Sequence, residues 1–495
     1  MKLNNYKKYF AALIACVCIT GISCKKVLDI NHDPNNPSLD VGTPKIVFPV
    51  AVMGVAAEEG GDLALIGGIL GEYVTQAAAA NQYKNIDQYD LKTTDFNAQW
   101  TNLYAYGLKN LQFVIDKANA TQDWNFYLMG TVMKAYTAGL LVDIYDKIPF
   151  SEALQGVNNL TPHFDDGYTV YKALIGEIDT ALSKDFSAAT AIDLRATNEG
   201  NIDMLFGGDI DKWKAFANTV ELKLYLRMIN AKPAEAQAGI EALYARNATF
   251  LQEDARVTGF IDAASESNPL YEQNIRQLNT GGNLVASKTF LTYLQANSDP
   301  RADDFFGANA TGLDQGDFFN TSSAALNASV FVESPTDPVV FLSAAESYFL
   351  QAEARERYFS GDGAQQLYNS GVLAEFAAVG EDGSSFIASG GAYAYPSGTT
   401  DQNIEAIITQ KWTSNAYGVH FIEGWLDRNR TGLPKTSPVY STDPSYVPGQ
   451  FVVSKNSTLP AGQFPKRLVF PDVEISTNPN TPAQVPITTP VWWGM

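Results

Sequence analysis

Histidine and cysteine, the side chains that most often supply catalysis and metal binding, are scarce in this chain of 495 residues. The histidines are His32, His163 and His420, and no two of them are close enough in sequence for an H-E-x-x-H zinc site. The cysteines are Cys16, Cys18 and Cys24, so residues 25–495 contain none. The body of the protein therefore has no disulfide, no cysteine-ligated zinc and no cysteine nucleophile.

Carboxylate pairs are the remaining feature that could support catalysis, since a glycosidase needs two carboxylates flanking one bond. The sequence offers Asp165-Asp166 and Asp303-Asp304, but adjacent residues seldom converge on one substrate and more often lie in turns or helix caps. Asp314 and Asp317 leave structural calcium open, although their spacing lacks a complete EF-hand loop. We therefore predict a protein that is not an enzyme and has no other cofactor, and a secreted helical glycoside hydrolase is the alternative.

The charge balance argues against nucleic-acid binding. Lys and Arg total 34 against 54 for Asp and Glu, which gives a formal net charge of −20 at pH 7. Such a chain repels phosphate backbones, and it has no basic run that would compensate. Hydrophobic residues make up 45% of the chain, so an extensive folded core is expected.

The N-terminus has the pattern of an export signal. Lysines precede an apolar stretch over residues 9–19, which is too short to span a bilayer. Small residues then lead to Cys24, where a bacterial lipoprotein would be cleaved and acylated. We predict a signal peptide over residues 1–23, lipidation of Cys24 and an extended tether over residues 24–44, with Cys16 as the second candidate for acylation.

Helical periodicity dominates the rest of the chain, because apolar residues recur at three- and four-residue steps. Predicted helices lie at residues 101–118, 124–145, 170–182, 211–229, 234–244, 342–358, 363–376 and 403–416. Asp209 or Asp211 is the predicted cap of the helix that begins near residue 211. Residues 451–453 and 467–470 are extended, apolar pieces that predict short strands.

The order of these elements predicts a mainly α fold, a helical-repeat (TPR-like) scaffold with a loop-rich second half and a few short strands. Helix pairs of about 35–45 residues are typical of repeat units that stack to bury a shared core. We expect one domain over residues 45–495. Its helical scaffold is predicted mostly at residues 45–250 and 340–430, and its ligand-facing loop insertions at residues 250–340 and 377–402.

Seven motifs, in a shared order over more than 400 residues, resemble the SusD/RagB family of outer-membrane lipoproteins in Bacteroidetes, the SusD-like branch in particular. They are CKKVLDIN with DPNNP at residues 24–37, DIYDKIPFSEAL at 143–154, KWKAFANT at 212–219, FLSAAESYFLQAEA at 341–354, QKW at 410–412, GWLDRNRTGLP at 424–434 and PKRLVFP at 465–471. The resemblance implies a SusD-like helical scaffold with a loop-rich ligand face.

The resemblance also implies a function. Family members are anchored in the outer membrane, mostly at the cell surface, and pair with a SusC-like TonB-dependent barrel. They act as a hinged lid that captures a nutrient, usually a glycan or a peptide, for import. We expect the same here, with a glycan or oligosaccharide favoured over a peptide, and a non-binding surface scaffold as a further alternative.

Within this hypothesis, ligand contact is expected from loops that place aromatic rings beside amide and hydroxyl groups, because sugars stack on rings and bond to amides. Three stretches have this composition, at residues 76–89, 268–276 and 393–395. The predicted ligand-binding residues are Gln82, Tyr83, Asn85, Tyr89, Tyr271, Asn274, Arg276, Tyr393 and Tyr395.

The charged residues inside the family-like motifs are instead expected to form structural ion pairs. Glu346 and Glu353 lie seven residues apart on one face of an apolar helix. Buried carboxylates in such a position pair well with the guanidinium fork of arginine. The predicted partners are Arg428, Arg430 and Arg467.

Overall fold

The computed structural model describes residues 42–188 and 202–495, and the predicted signal peptide, Cys16, Cys24 and most of the tether lie outside these ranges. The fold is mainly helical, as predicted. The α-helices, in chain order, are α1 (Pro44–Glu59), α2 (Asp62–Leu70), α3 (Lys84–Asp87), α4 (Asn97–Asn102), α5 (Lys109–Thr121), α6 (Trp124–Tyr145), α7 (Gly167–Leu182), α8 (Ile210–Arg227), α9 (Pro233–Ala245), α10 (Pro269–Tyr271), α11 (Lys288–Ala296), α12 (Arg301–Phe306), α13 (Ser323–Leu326), α14 (Ala344–Tyr358), α15 (Ala364–Ala378), α16 (Ser384–Ile387), α17 (Thr400–Ser414), α18 (Phe421–Thr431) and α19 (Asp472–Thr477). In the described ranges, no helix is both long enough and apolar enough to cross a membrane.

Helix α6 is the central element because it has no polar face. Every residue from 128 to 145 is buried, and α5, α7 and α8 pack around it. The helix begins where the Asp123 side chain accepts a hydrogen bond from the Phe126 N–H. It ends at Asp146, whose φ of 74° turns the chain out of the helix. A helix that is buried on all sides in this way is stable only inside such a bundle.

Within the part of the chain that the structure describes, six short strands form three antiparallel pairs, two of which join segments that are far apart in sequence. Strand β1 (Val74–Gln76) pairs with β5 (Leu284–Ala286), and Val74 lies opposite Ala286. Strands β2 (Lys147–Pro149) and β3 (Phe164–Asp166) form a hairpin, and β4 (Ala255–Val257) pairs with β6 (Val339–Leu342). These pairs fix where the loops leave the helical scaffold.

The early and late helices interlock. Helix α2 packs closely on α18, and a Cβ added at Gly67 would lie 2.2 Å from the Ile422 backbone nitrogen. The Tyr73 hydroxyl donates to the Trp412 carbonyl at 2.7 Å, across 339 residues of sequence. The first and last parts of the described scaffold therefore share one core.

The predicted strands at residues 451–453 and 467–470 are wrong. Phe451 forms a single bridge with Thr436, and residues 467–470 join no ladder. The backbone of the second piece serves a different purpose, since the Leu468 N–H donates to the Ile144 carbonyl at 2.8 Å. Arg467 also donates to the Tyr145 carbonyl, so this segment satisfies the last carbonyls of α6.

Candidate functional site

The candidate site is a surface of loops near the ends of β1 and β5. We call it the loop face, and it consists of residues 76–89, 268–276 and 314–320. At the end of β1, the Gln76 side chain accepts a hydrogen bond from the Tyr83 N–H at 2.5 Å. Its amide nitrogen donates to the Asn283 carbonyl at 3.3 Å, next to β5. The buried Gln76 side chain thus closes the loop over residues 77–83 and ties it to Asn283, the residue that precedes β5.

The buried carboxylate of Asp87 holds this loop in place. Its carboxylate accepts hydrogen bonds from the Thr75 hydroxyl at 2.7 Å, the Gln76 N–H at 3.0 Å and the Gln315 amide at 2.7 Å. Burial raises the pKa of Asp87 to about 6, and these hydrogen bonds limit the rise. Because Gln315 belongs to a separate loop, Asp87 holds residues 74–76 and residues 314–320 together.

The loop over residues 314–320 contributes an aromatic ring that the sequence did not single out. Phe319 is 65% exposed, whereas its neighbour Phe318 is 1% exposed. The Lys84 ammonium lies 4.6 Å from the centre of the Phe319 ring, and it donates to the Asn81 side chain at 2.6 Å. The exposed ring offers a flat apolar surface, and the neighbouring ammonium and amide groups can form hydrogen bonds with a polar ligand.

The structure brings the first two predicted stretches together. The Tyr83 hydroxyl donates to the Asn274 side-chain oxygen at 3.2 Å, and the Asn274 amide donates to Glu333 at 2.6 Å. Burial raises the pKa of Glu333 to about 7, against the effect of the Asn274 hydrogen bond. Tyr83 and Asn274 are both buried, so they join the two loops beneath the face.

The other predicted residues of these stretches differ in exposure. Gln82 is exposed and Asn85 is half-buried, with its amide donating to Asp95 at 2.9 Å. Tyr89 is buried, and its hydroxyl oxygen accepts from the Ser454 N–H at 3.3 Å. Of the four predicted residues of this stretch, Gln82 is thus the one that is fully available at the surface.

Tyr271 and Arg276 lie at the edge of the second stretch. The Arg276 guanidinium lies 5.4 Å from the centre of the Tyr271 ring. It forms ion pairs with Asp262 and, at 3.0 Å, with Glu272. Both side chains are half-buried, so each keeps some surface that a ligand could contact.

The third predicted stretch belongs to a different part of the molecule. The Tyr393 hydroxyl donates to Asp299 at 2.6 Å, and its ring stacks on Tyr293 with centroids 5.9 Å apart. Tyr395 donates to Glu356 and is half-buried. These rings help to build a second core cluster under α15 and α17, apart from the loop face.

Beneath the helices, the motif carboxylates lie in a buried ionic network. Glu346 contacts Lys223 at 3.1 Å, Lys411 at 3.2 Å and His420 at 3.3 Å, rather than the arginines expected from the sequence. His420 also contacts Glu59 at 3.0 Å. Burial favours neutral His420, but the two carboxylates outweigh it and raise the pKa to about 9.

Glu353 and Arg430 form the bidentate pair expected from the sequence. The two terminal nitrogens of Arg430 donate to Glu353 at 2.7 and 2.8 Å. Burial opposes the charge on Glu353, but Arg430 and Arg357 outweigh it and lower the pKa to about 2. Such a pair locks α14 to α18.

Arg428 and Arg467 have other partners. The Arg428 guanidinium lies 4.0 Å from the centre of the Phe464 ring and donates to the Thr436 hydroxyl at 2.8 Å. Arg467 contacts Asp146 at 3.5 Å, beside its bond to the end of α6. Both residues therefore hold C-terminal loops onto the scaffold.

Carboxylates that could hold a metal are already neutralised by cations. Glu346, His420 and Glu423 offer ligand atoms within 4.8 Å of one another, but the Lys223 ammonium lies 2.8 Å from Glu423. Asp314 and Asp317 each form an ion pair with the Lys455 ammonium at 2.9 Å.

The first acid pair lies in strand β3, just before α7, and the second pair lies in the first turn of α12. Asp165 accepts hydrogen bonds from the Phe150 and Ser151 N–H groups at 3.1 and 2.8 Å. Asp166 precedes α7, and Asp303 and Asp304 lie in the first turn of α12. None of these contacts brings two carboxylates to one cleft as a glycosidase requires.

Comparison with known proteins places this geometry in context. A family model described as "SusD-like_2: Starch-binding associating with outer membrane" matches residues 56–451. The structure resembles a SusD homologue from Bacteroides uniformis at 23% sequence identity, covering 91% of this chain and 99% of the other with a TM-score of 0.73. A chitin-binding SusD homologue from Flavobacterium johnsoniae shares 22% identity over 92% of this chain and 96% of its own, with a TM-score of 0.66. No curated protein shows significant sequence similarity to the chain.

Proposed function

The chain belongs to the SusD-like family of outer-membrane-associated proteins, and from that premise we propose that it is a cell-surface glycan-binding lipoprotein. It acts as the lid of a SusC-like TonB-dependent importer. Its task is to hold a glycan or oligosaccharide without changing it. The chitin-binding relative and the starch-binding description of the family both favour a sugar over a peptide.

The observation that carries the proposal is the exposed Phe319 ring on the loop face. A sugar ring stacks its C–H face on the free side of this ring, while Lys84 and Gln82 bond to hydroxyl groups at its edge. Tyr271 and Arg276 are half-buried and belong to the stretch that Asn274 joins to Tyr83, so they are further candidates for ligand contact. One open aromatic platform gives weak binding, with a dissociation constant of about 1 µM or higher, because little of the ligand is buried.

After the glycan is bound, a rigid-body movement of the lid delivers it to the importer. A bound glycan favours the closed arrangement only to the extent that it binds that arrangement more tightly. Acylation of Cys24 keeps the body near the barrel. The proposal needs no proton transfer or covalent step.

A binding experiment tests the sugar site directly. Amylose oligosaccharides, with a mixed peptide pool as the competing class, are titrated against the wild type, Phe319→Ala and Phe319→Leu. We expect both variants to lose about five- to tenfold in affinity for the bound sugar, since stacking on a ring is worth about 1 kcal/mol. Phe319→Trp keeps the ring and should keep the affinity.

Each other outcome points to a named alternative. Release of reducing ends by the purified chain would identify a glycoside hydrolase. Retention of the peptides alone would change the ligand class, and retention of nothing would leave a surface scaffold.

The anchor is tested separately: Cys24→Ser should move the protein from the membrane to the soluble fraction, and Cys16→Ser should not. Loss of membrane attachment in Cys16→Ser instead would move the acylation site.

A further inference from the structure

A second cavity lies away from the loop face, between the start of α1, the helical segment over residues 101–116 and the loop that joins β2 to β3. Its volume is about 740 Å³. Small-molecule sites typically measure about 300–1,000 Å³, so the cavity is large enough for a short oligosaccharide. Its lining includes none of the residues that form the loop face.

Two aromatic rings that line this cavity, those of Trp100 and Tyr104, are held in place by neighbouring groups. The Trp100 ring lies 5.0 Å from Tyr104 and stacks on Phe164 at 6.0 Å. The Trp100 indole N–H donates to Glu474 at 3.1 Å, and the Tyr104 hydroxyl donates to the Pro149 carbonyl at 2.8 Å. Because the polar atoms of both rings are already bonded, what they offer a ligand is carbon surface.

The walls combine aliphatic groups with amides. Phe113, Leu154, Leu160 and Val473 supply apolar surface, and Leu160 is 75% exposed. The Asn110 amide donates to the Tyr106 carbonyl at 2.9 Å, and the Gln112 amide donates to Asp116 at 2.8 Å. Each of these amides therefore keeps its side-chain oxygen as the acceptor for a hydroxyl or an N–H group.

The loop that covers the cavity has an unusual backbone. Leu154 has a φ of 65°, which is costly for a side chain with a Cβ, and Gly156 follows with a φ of 58°. Left-handed leucine in a cavity wall is a strained conformation, and such strain is common where a loop is shaped to hold a ligand. This loop places Leu154 in the lining.

We propose that this cavity is a second saccharide site and that it takes a short oligosaccharide of N-acetylated sugars. Aromatic rings and amide oxygens can contact any sugar. Hydroxyl groups, however, gain nothing from packing against the aliphatic side chains of the cavity wall. An acetamido group supplies the missing match, because its methyl packs on aliphatic side chains and its N–H donates to an amide oxygen. The site goes beyond the proposed function, since it is separate from the loop face.

The test fills the cavity without touching the core. Ala105 is exposed and lines the cavity, so Ala105→Trp should block it and still fold. Ala120 is exposed on α5 outside the lining, so Ala120→Trp is the matched control. Diacetylchitobiose and cellobiose are titrated by calorimetry into the mature chain and both variants, and circular dichroism and melting temperature check folding.

We expect Ala105→Trp to lower diacetylchitobiose affinity at least tenfold and Ala120→Trp to change it less than twofold. Phe319→Ala should leave this binding in place, and cellobiose should bind at least fivefold more weakly than diacetylchitobiose. Unchanged binding in folded Ala105→Trp would overturn the inference. Loss of binding in Phe319→Ala alone would also overturn it, while supporting the loop face. Equal binding of cellobiose would reject the N-acetylated class.

Discussion

At the scale of single residues, His420 links two buried acids from distant parts of the chain. Its ring contacts Glu59 of α1 and Glu346 of α14 at 3.0 and 3.3 Å. The same carboxylates raise the pKa of His420 from 6.5 to about 9. Between pH 6.5 and about 9, His420 therefore keeps its proton in the folded protein, whereas the unfolded chain has already released it.

This linkage predicts how stability depends on pH. Since the folded pKa is raised, the contribution of His420 is complete below pH 6.5 and is lost as pH rises through about 9. The loss is up to about 3 kcal/mol, from about 1.4 kcal/mol for each pH unit. Denaturant unfolding at several pH values should show a smaller loss of stability between pH 6.5 and about 9 in His420→Asn than in the wild type, and the difference is the contribution of His420. His163→Gln, on the surface, is the control; an equal slope in His420→Asn would refute the linkage.

Residue types suggested the chemistry of the loop face but not which rings reach solvent. Phe318 and Phe319 are adjacent and identical, yet one is buried and the other is exposed. Tyr89, a predicted ligand contact, is buried because its loop folds beneath residues 454–458, far away in sequence. Burial of this kind depends on long-range packing, which local sequence does not record.

At the scale of elements, helices were predictable because their apolar periodicity is local. The predicted helix over residues 124–145 matches α6 at both ends, since an aspartate cap and a following proline mark them. The ionic pairing was partly predictable: Glu353 pairs with Arg430, but Glu346 pairs with lysines from two other helices. The strands failed, because residues 467–470 bond to the end of a helix instead of a sheet.

The cap of α8 gives a prediction at this scale. The Asp209 side chain accepts from the N–H groups of Asp211 and Lys212, so it is the cap that the sequence offered as one of two. Asp209→Ala should lower the free energy of unfolding by about 1 kcal/mol. Asp211→Ala removes only a surface pair with Lys214 and should cost less than about 0.5 kcal/mol. Urea unfolding measures both; equal losses would contradict the assignment of the cap.

At the scale of the whole molecule, the contact between α2 and α18 closes the scaffold. A methyl group at Gly67 would meet the backbone of Ile422, which has no side-chain freedom to move away. Gly67→Ala should therefore cost at least about 2 kcal/mol. Gly176 lies within α7, and a methyl group added there would meet no other atom within 4 Å. Gly176→Ala should therefore raise the free energy of unfolding by about 0.5–1 kcal/mol. Thermal unfolding distinguishes the two, and a neutral Gly67→Ala would show that the contact is looser.

The interlocking of early and late helices has a consequence for biosynthesis. Tyr73 and its acceptor Trp412 are 339 residues apart, and ribosomes add about 5–20 residues per second. The apolar α2 segment thus leaves the ribosome on the order of 20–70 seconds before the helix that covers it. During that interval it is a natural target for a holding chaperone, and depletion of such a chaperone should cause nascent chains to aggregate before they are complete.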